Sequence, residues 1–156
     1  MKYTKPHFEM FVRSAINKLT PEARRLLSEI RLEFQERPDY LPKIPAWGSL
    51  GEFSGSRKGQ GVIGGIPTIT LYQEDIEYVN RLSSQPILIK HISEILAHEL
   101  CHYLGANEHE SEVFKSNLLK LKKASHEKNL NSWWRWFLRI LFGRHSGKKK
   151  YSHHSR

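Results

Sequence analysis

The segment HELCHYLGANE, residues 98–108, constrains the fold of this chain more than any other part of the sequence. Serine and proline within residues 83–86 favour the start of a helix and Gly105 favours its end, so the segment closes a long helix. Because an α-helix turns by about 100° per residue, His98 and His102 lie about 40° apart on one face and about 6 Å apart along the axis. The two imidazoles are therefore within reach of a single metal ion, and zinc suits such nitrogen ligands.

Glu99 lies about 100° around this helix from His98, where its carboxylate can touch a water on the same ion. The apolar residues of the helix form an arc that overlaps Glu99 and borders the histidines: Ile92, Ile95, Leu96, Leu100 and Tyr103. We therefore expect the site at an edge of the core, partly shielded from water. An apolar wall strengthens the attraction between ion, water and substrate, and Glu99 is expected to act as general base.

Glu108 is the carboxylate nearest to the turn that Gly105 predicts. The pattern HExxHxxGxxE thus offers two nitrogens, one oxygen and an open fourth position, which is typical of a catalytic site with one zinc ion. His109 and Glu112 are competing third ligands. The alternative is that HExxH arises by accident on an amphipathic helix and that Gly105 is only a helix cap.

The remaining patterns predict an α+β fold. The expected elements, in chain order, are helices over residues 8–19 and 20–27, strands over 30–34, 50–53 and 68–72, and helices over 76–82, 83–104 and 108–122. Pro67 directly precedes the third strand and indicates that this strand lies at an edge of the sheet. The sequence SGSRKGQG, residues 54–61, predicts a flexible loop.

The charge divides the chain into a domain over residues 1–122 and a basic extension over residues 123–156. The formal net charge is +9, and residues 120–156 alone contribute 11 basic side chains against one acid, Glu127. The net charge of the residues before 120 is therefore close to zero. Because an excess of positive charge favours anionic partners, any such partner is expected at the extension and not at the HExxH site.

The extension contains NSWWRWFLRILF, residues 131–142, an apolar stretch too short to span a bilayer. With the flanking lysines it predicts an interfacial helix that contacts an anionic membrane surface through residues 131–150. A helix docked on the domain or on a protein partner is the alternative, and nucleic acid is less favoured. A single cysteine, Cys101, and no visible signal sequence indicate a cytoplasmic protein, with peripheral association at the inner face of the membrane.

The chain resembles the small bacterial zincin-like metallopeptidases, also called minimal zincins. The resemblance covers most of residues 7–113 and depends on FEMFVRSAINKL, the strand near residues 30–34, ITLYQEDIE and HELCHYLGANE. It implies a compact zincin-like domain in which a small sheet packs on the metal helix. His98 and His102 correspond to zinc ligands and Glu99 to the catalytic glutamate.

Three positions depart from the family pattern. Family members commonly have Asp where this chain has Glu108, and they often have Gly and His where Cys101 and Tyr103 stand. Glu108 therefore keeps an acidic residue at the third ligand position, whereas Cys101 and Tyr103 make the surroundings of the two histidines different from those in the family.

These observations predict a zinc-dependent metallopeptidase that hydrolyses peptide bonds by metal-activated water with Glu99 as general base. A peptide or protein substrate is expected to add as a strand beside residues 68–72. Tyr103 and His109 are candidates for stabilising the oxyanion. The alternative function is a non-catalytic, metal-stabilised binding module that its basic tail recruits to membrane or nucleic acid.

Overall fold

A computed structural model describes residues 3–36, 50–61 and 64–119 of the chain, and all structural statements below concern these residues. Within them the elements, in chain order, are α1 (Lys5–Ile16), α2 (Pro21–Leu27), β1 (Arg31–Gln35), β2 (Gly51–Ser54), β3 (Thr68–Tyr72), α3 (Gln73–Val79), α4 (Gln85–Tyr103) and α5 (Glu108–Leu118). The predicted α+β fold class is confirmed. The predicted extension over residues 123–156, with its Trp-rich segment, lies outside the described residues.

The first two helices begin where the sequence predicts them. α1 follows Thr4 and carries a proline in its first turn, and it buries the apolar face that its spacing predicts, including Phe8 and Phe11. Thr20 caps α2 by accepting a hydrogen bond from the backbone N–H of Ala23. This cap satisfies one of the N–H groups that a helix start leaves without an internal partner.

The three described strands form one mixed sheet with the order β1-β3-β2. β1 runs parallel to β3, and β2 runs antiparallel to it. β3 is therefore the central strand, and its side chains Ile69 and Leu71 are fully buried. The prediction that residues 68–72 form an edge strand is wrong: Pro67 precedes the strand, where its missing N–H costs no ladder hydrogen bond, and its carbonyl accepts from the N–H of Arg31.

α4 is the long helix that the sequence predicts, and it organises the core. It starts after Ser84 and packs against α1, α2, α5 and β2. Its buried apolar side chains include Ile92, Leu96 and Leu100. The helix thus carries one apolar face into the core and leaves the opposite side available for polar groups.

Two helices have boundaries that differ from the prediction. α3 starts directly after β3 and ends at Val79, so Leu82, expected within the helix, lies beyond it with 93% of its surface exposed. α5 ends at Leu118 and not at residue 122, because Leu119 adopts an extended conformation and forms a β-bridge with Leu19. Leu19 lies 100 positions earlier in the chain, and the periodicity of apolar residues does not predict so distant a pairing.

Within the described residues, no helix is long and apolar enough to cross a membrane.

Candidate metal centre

His98 and His102 lie on the open side of α4 with their rings edge to face. Their Nε2 atoms are 3.0 Å apart, and both side chains are mostly buried. The spacing of four residues placed them one above the other, as the helix geometry requires. Two ring nitrogens therefore converge on one point beside the helix.

Glu108 reaches the same point from the start of α5. Its Oε2 lies 3.2 Å from Nε2 of His98 and its Oε1 lies 3.3 Å from Nε2 of His102. Gly105 has a φ of 95°, a left-handed conformation that glycine adopts without strain, so α4 ends and the chain turns back. Asn107 and Glu110 then form a capping box that starts α5 with Glu108 as its first residue.

The partners of the Nδ1 atoms favour one tautomer of each imidazole ring. Nδ1 of His102 is 3.0 Å from the carbonyl oxygen of Ala106, and Nδ1 of His98 is 3.3 Å from Oε1 of Glu112. Because a carbonyl and a carboxylate only accept, the tautomer that fits these partners carries its proton on Nδ1 of each ring. In that tautomer, the Nε2 atoms present lone pairs to each other and to the carboxylate of Glu108.

Three lone-pair donors at this spacing repel one another unless a cation lies between them. Burial lowers the pKa of His98, and the neighbouring His102 lowers it further, so a second proton on that ring is disfavoured. Ligand atoms about 2.0–2.1 Å from one tetrahedral zinc ion lie about 3.3 Å from each other. The distances among these three residues fit that arrangement closely.

The competing third ligands occupy other positions. Glu112 contacts Nδ1 of His98 and pairs with Lys115, so its carboxylate supports the imidazole from behind. His109 is exposed and does not belong to the group of residues that could hold a metal together. That group consists of His98, His102 and Glu108, with one candidate ligand atom from each within 4.8 Å of the others.

Glu99 lies beside this group and is only 6% exposed. Its carboxylate accepts a hydrogen bond from the backbone N–H of Phe53 in β2, which holds it against the sheet. Burial raises the pKa of Glu99 to about 7, and the negative charge of Glu108 adds to the rise. A carboxylate with such a pKa can both accept and release a proton near neutral pH.

All four residues line one open pocket of about 570 Å³. Its walls come from β2 and its following loop, from α4 and from α5. Sequence reasoning did not identify several of the lining residues, among them Glu52, Phe53, Arg57 and Lys115. Lys115 follows Glu108 and Glu112 at helical spacing, which could have indicated it, whereas the other three reach the site through tertiary packing alone.

No model of a known protein family matches this chain, and no curated protein matches it either. The resemblance to zincin-like metallopeptidases therefore stays a prediction.

Proposed function

We propose that this chain is a zinc-dependent peptidase whose ion is held by His98, His102 and Glu108. The observation that carries the proposal is the convergence of two imidazole nitrogens and one carboxylate in a pocket that Glu99 also lines. Two nitrogens and one oxygen leave one zinc position open for water or substrate, as catalytic sites require.

Zinc bound by these residues would supply a Lewis acid that polarises a substrate carbonyl and lowers the pKa of a water molecule. Glu99 accepts a proton from the attacking water and passes it to the leaving amine. The N–H of Phe53 holds one end of this carboxylate in place throughout. Because Glu99 is buried beside the open pocket, few waters compete for its proton.

The substrate is a peptide that lies in the pocket along the edge of β2. β3 cannot receive an added strand, since β1 and β2 occupy both of its sides. β2 has one neighbour within the described sheet, and it forms a wall of the pocket together with α4. An extended peptide beside β2 would bring a carbonyl group close to the two histidines.

The test combines metal analysis with cleavage of a peptide library. The purified chain should bind zinc at a ratio of about one and should cut library peptides, with the cut sites mapped by mass spectrometry. Glu99→Gln should keep the zinc and lose cleavage by at least about 100-fold, because only the proton acceptor is removed. Glu9→Gln on α1, an equivalent change outside the pocket, should leave both properties unchanged.

Two outcomes would overturn the proposal. Cleavage that persists in Glu99→Gln would exclude Glu99 as the base. Stoichiometric zinc without cleavage of any library peptide, together with a fold that melts on chelation, would support a non-catalytic, metal-stabilised binding module instead.

A further inference from the structure

Arg57 extends from the loop after β2 and lines the same pocket as the two histidines. Its side chain is exposed, and that side chain makes no ion pair or hydrogen bond with any residue in the described ranges, while its backbone carbonyl accepts from the N–H of Gln60. An exposed arginine on a free surface needs no explanation. This one lies at the wall of a candidate catalytic pocket, where its charge acts on whatever enters.

The residues on both sides of Arg57 are anchored to the fold. The backbone N–H of Ser56 donates to the carbonyl oxygen of Gly65 at 3.1 Å. The backbone N–H of Lys58 donates to the carbonyl oxygen of Tyr103, at the end of α4, at 2.9 Å. These two bonds fix the backbone of Arg57 beside the carboxyl end of the metal helix, so the base of its side chain cannot drift away from the site.

The next residue, Lys58, has its charge neutralised. Its ammonium group pairs with Glu29 and lies over the ring of Tyr103. The hydroxyl of Tyr103 donates to the same Glu29 carboxylate at 3.0 Å. Lys58 therefore serves as an anchor for the loop, while the guanidinium of Arg57 remains available to a ligand.

The other charges of the pocket already have partners. Lys115 pairs with Glu112, Glu94 pairs with Lys90, and Glu52 accepts a hydrogen bond from the hydroxyl of Tyr72 at 2.8 Å. These contacts all lie within the described residues. Arg57 is the pocket cation that the described residues leave without a partner, so its charge is available to a ligand that enters the pocket.

We propose that Arg57 binds a carboxylate of the substrate. The enzyme then prefers peptides that carry an acidic group on one side of the cleaved bond, namely the side that lies near the carboxyl end of α4. The proposal rests on the proposed peptidase function. A guanidinium presents two parallel N–H groups that match the two oxygens of a carboxylate. The carboxylate can belong to an Asp or Glu side chain or to the end of the peptide.

The experiment uses the full chain loaded with zinc and pairs of synthetic peptides built on a cut site from the library. One pair differs by Glu or Gln near the cut, and a second differs by a free or amidated carboxyl terminus. The wild type should cleave the acidic member of one pair with a kcat/KM about 10- to 100-fold higher, mainly through KM. The pair that shows the effect identifies the source of the carboxylate.

Variants of Arg57 then separate charge recognition from other effects. Arg57→Gln should abolish the preference by lowering kcat/KM for the acidic peptides to the value for their neutral partners, and Arg57→Lys should retain part of the preference. Arg57→Glu should shift the preference to peptides that carry Lys at the same position. Arg24→Gln on α2, an exposed arginine outside the pocket, should keep the wild-type preference.

This experiment gives different results depending on which of the two proposals is wrong. If the wild type cleaves acidic and neutral peptides equally, or if Arg57→Gln keeps the preference, the role of Arg57 is wrong while the peptidase function stands. If no peptide of either kind is cleaved and zinc is bound, the peptidase function itself fails.

Discussion

Oε1 of Glu112 lies 3.3 Å from Nδ1 of His98, on the side of the ring opposite to the candidate metal position. A carboxylate at this position orients the imidazole, keeps its proton on Nδ1 and makes Nε2 a stronger ligand. The same carboxylate pairs with Lys115, so it stays ionised, and these contacts hold its pKa below the ordinary value. Glu112 thus supports the candidate site from outside the proposed set of ligands.

Glu112→Ala should weaken zinc binding by about 10- to 100-fold, because His98 loses the group that orients it. Glu108→Ala should weaken it further, since one of the three ligands is removed. Competition with a chromogenic chelator measures both affinities. Glu110 faces the helix cap instead of the histidines, so Glu110→Gln serves as a control on the same helix and should leave zinc affinity unchanged. Equal affinities for Glu112→Ala and wild type would contradict the supporting role.

Much of this site could be predicted from the sequence because it depends on local geometry. The spacing of His98 and His102, the turn at Gly105 and the return of Glu108 all lie within 11 consecutive residues. Helix periodicity and a helix cap place these four residues with little influence from the rest of the chain.

Other parts of the site depend on contacts between distant segments, and sequence reasoning missed them. The hydrogen bond from the N–H of Phe53 to Glu99 and the pocket position of Arg57 require that β2 pack beside α4. The prediction that residues 68–72 form an edge strand was wrong for a similar reason, because the central position of β3 depends on its pairing with two distant strands. Pro67 was compatible with an edge strand, but a proline before the first ladder residue is equally compatible with a central one.

Tyr103 connects the end of α4 to the turn after α2 and to the loop that carries Arg57. Tyr103→Phe removes the hydroxyl that donates to Glu29 and keeps the ring. We expect a loss of about 1 kcal/mol in the free energy of unfolding, the usual contribution of one such hydrogen bond. Urea unfolding followed by circular dichroism measures it. Tyr78→Phe, at an exposed tyrosine on α3, should change stability little, and a similar loss in both variants would contradict the assignment.

Cys101 should be unreactive in the folded protein although it lies between the two histidines in sequence. It is 2% exposed, and burial raises the pKa of its thiol to about 12, with the charge of Glu99 adding to the rise. A thiol that is neither exposed nor ionised does not attack disulfide reagents. A chromogenic disulfide reagent at pH 8 should therefore label the chain slowly in buffer and rapidly in denaturant. Because the chain has one cysteine, the signal reports on this residue alone. Rapid labelling of the native protein would show that Cys101 faces solvent.

The contacts of Glu29 predict how stability changes with pH. Burial alone would raise the pKa of this carboxyl, but the hydrogen bonds from Lys58 and Tyr103 outweigh it and hold the pKa below the ordinary value. A carboxyl with a lowered pKa in the folded state stabilises the protein above its unfolded-state pKa of about 4.3, and this contribution disappears as pH falls through the folded-state value.

The comparison of wild type with Glu29→Gln isolates this effect, since both proteins share every other titrating group. Both are measured without zinc, with a chelator present, so that metal release at low pH does not enter the comparison. The wild type should be more stable at pH 7, by an amount that shrinks toward zero as the pH falls below about 4. The carboxylate is 36% exposed, so the difference at pH 7 is expected to be small, at most about 1 kcal/mol. A difference that stays constant between pH 7 and pH 3 would mean that the Glu29 carboxylate is not held ionised by Lys58 and Tyr103, and that the loop carrying Arg57 is anchored by its backbone bonds alone.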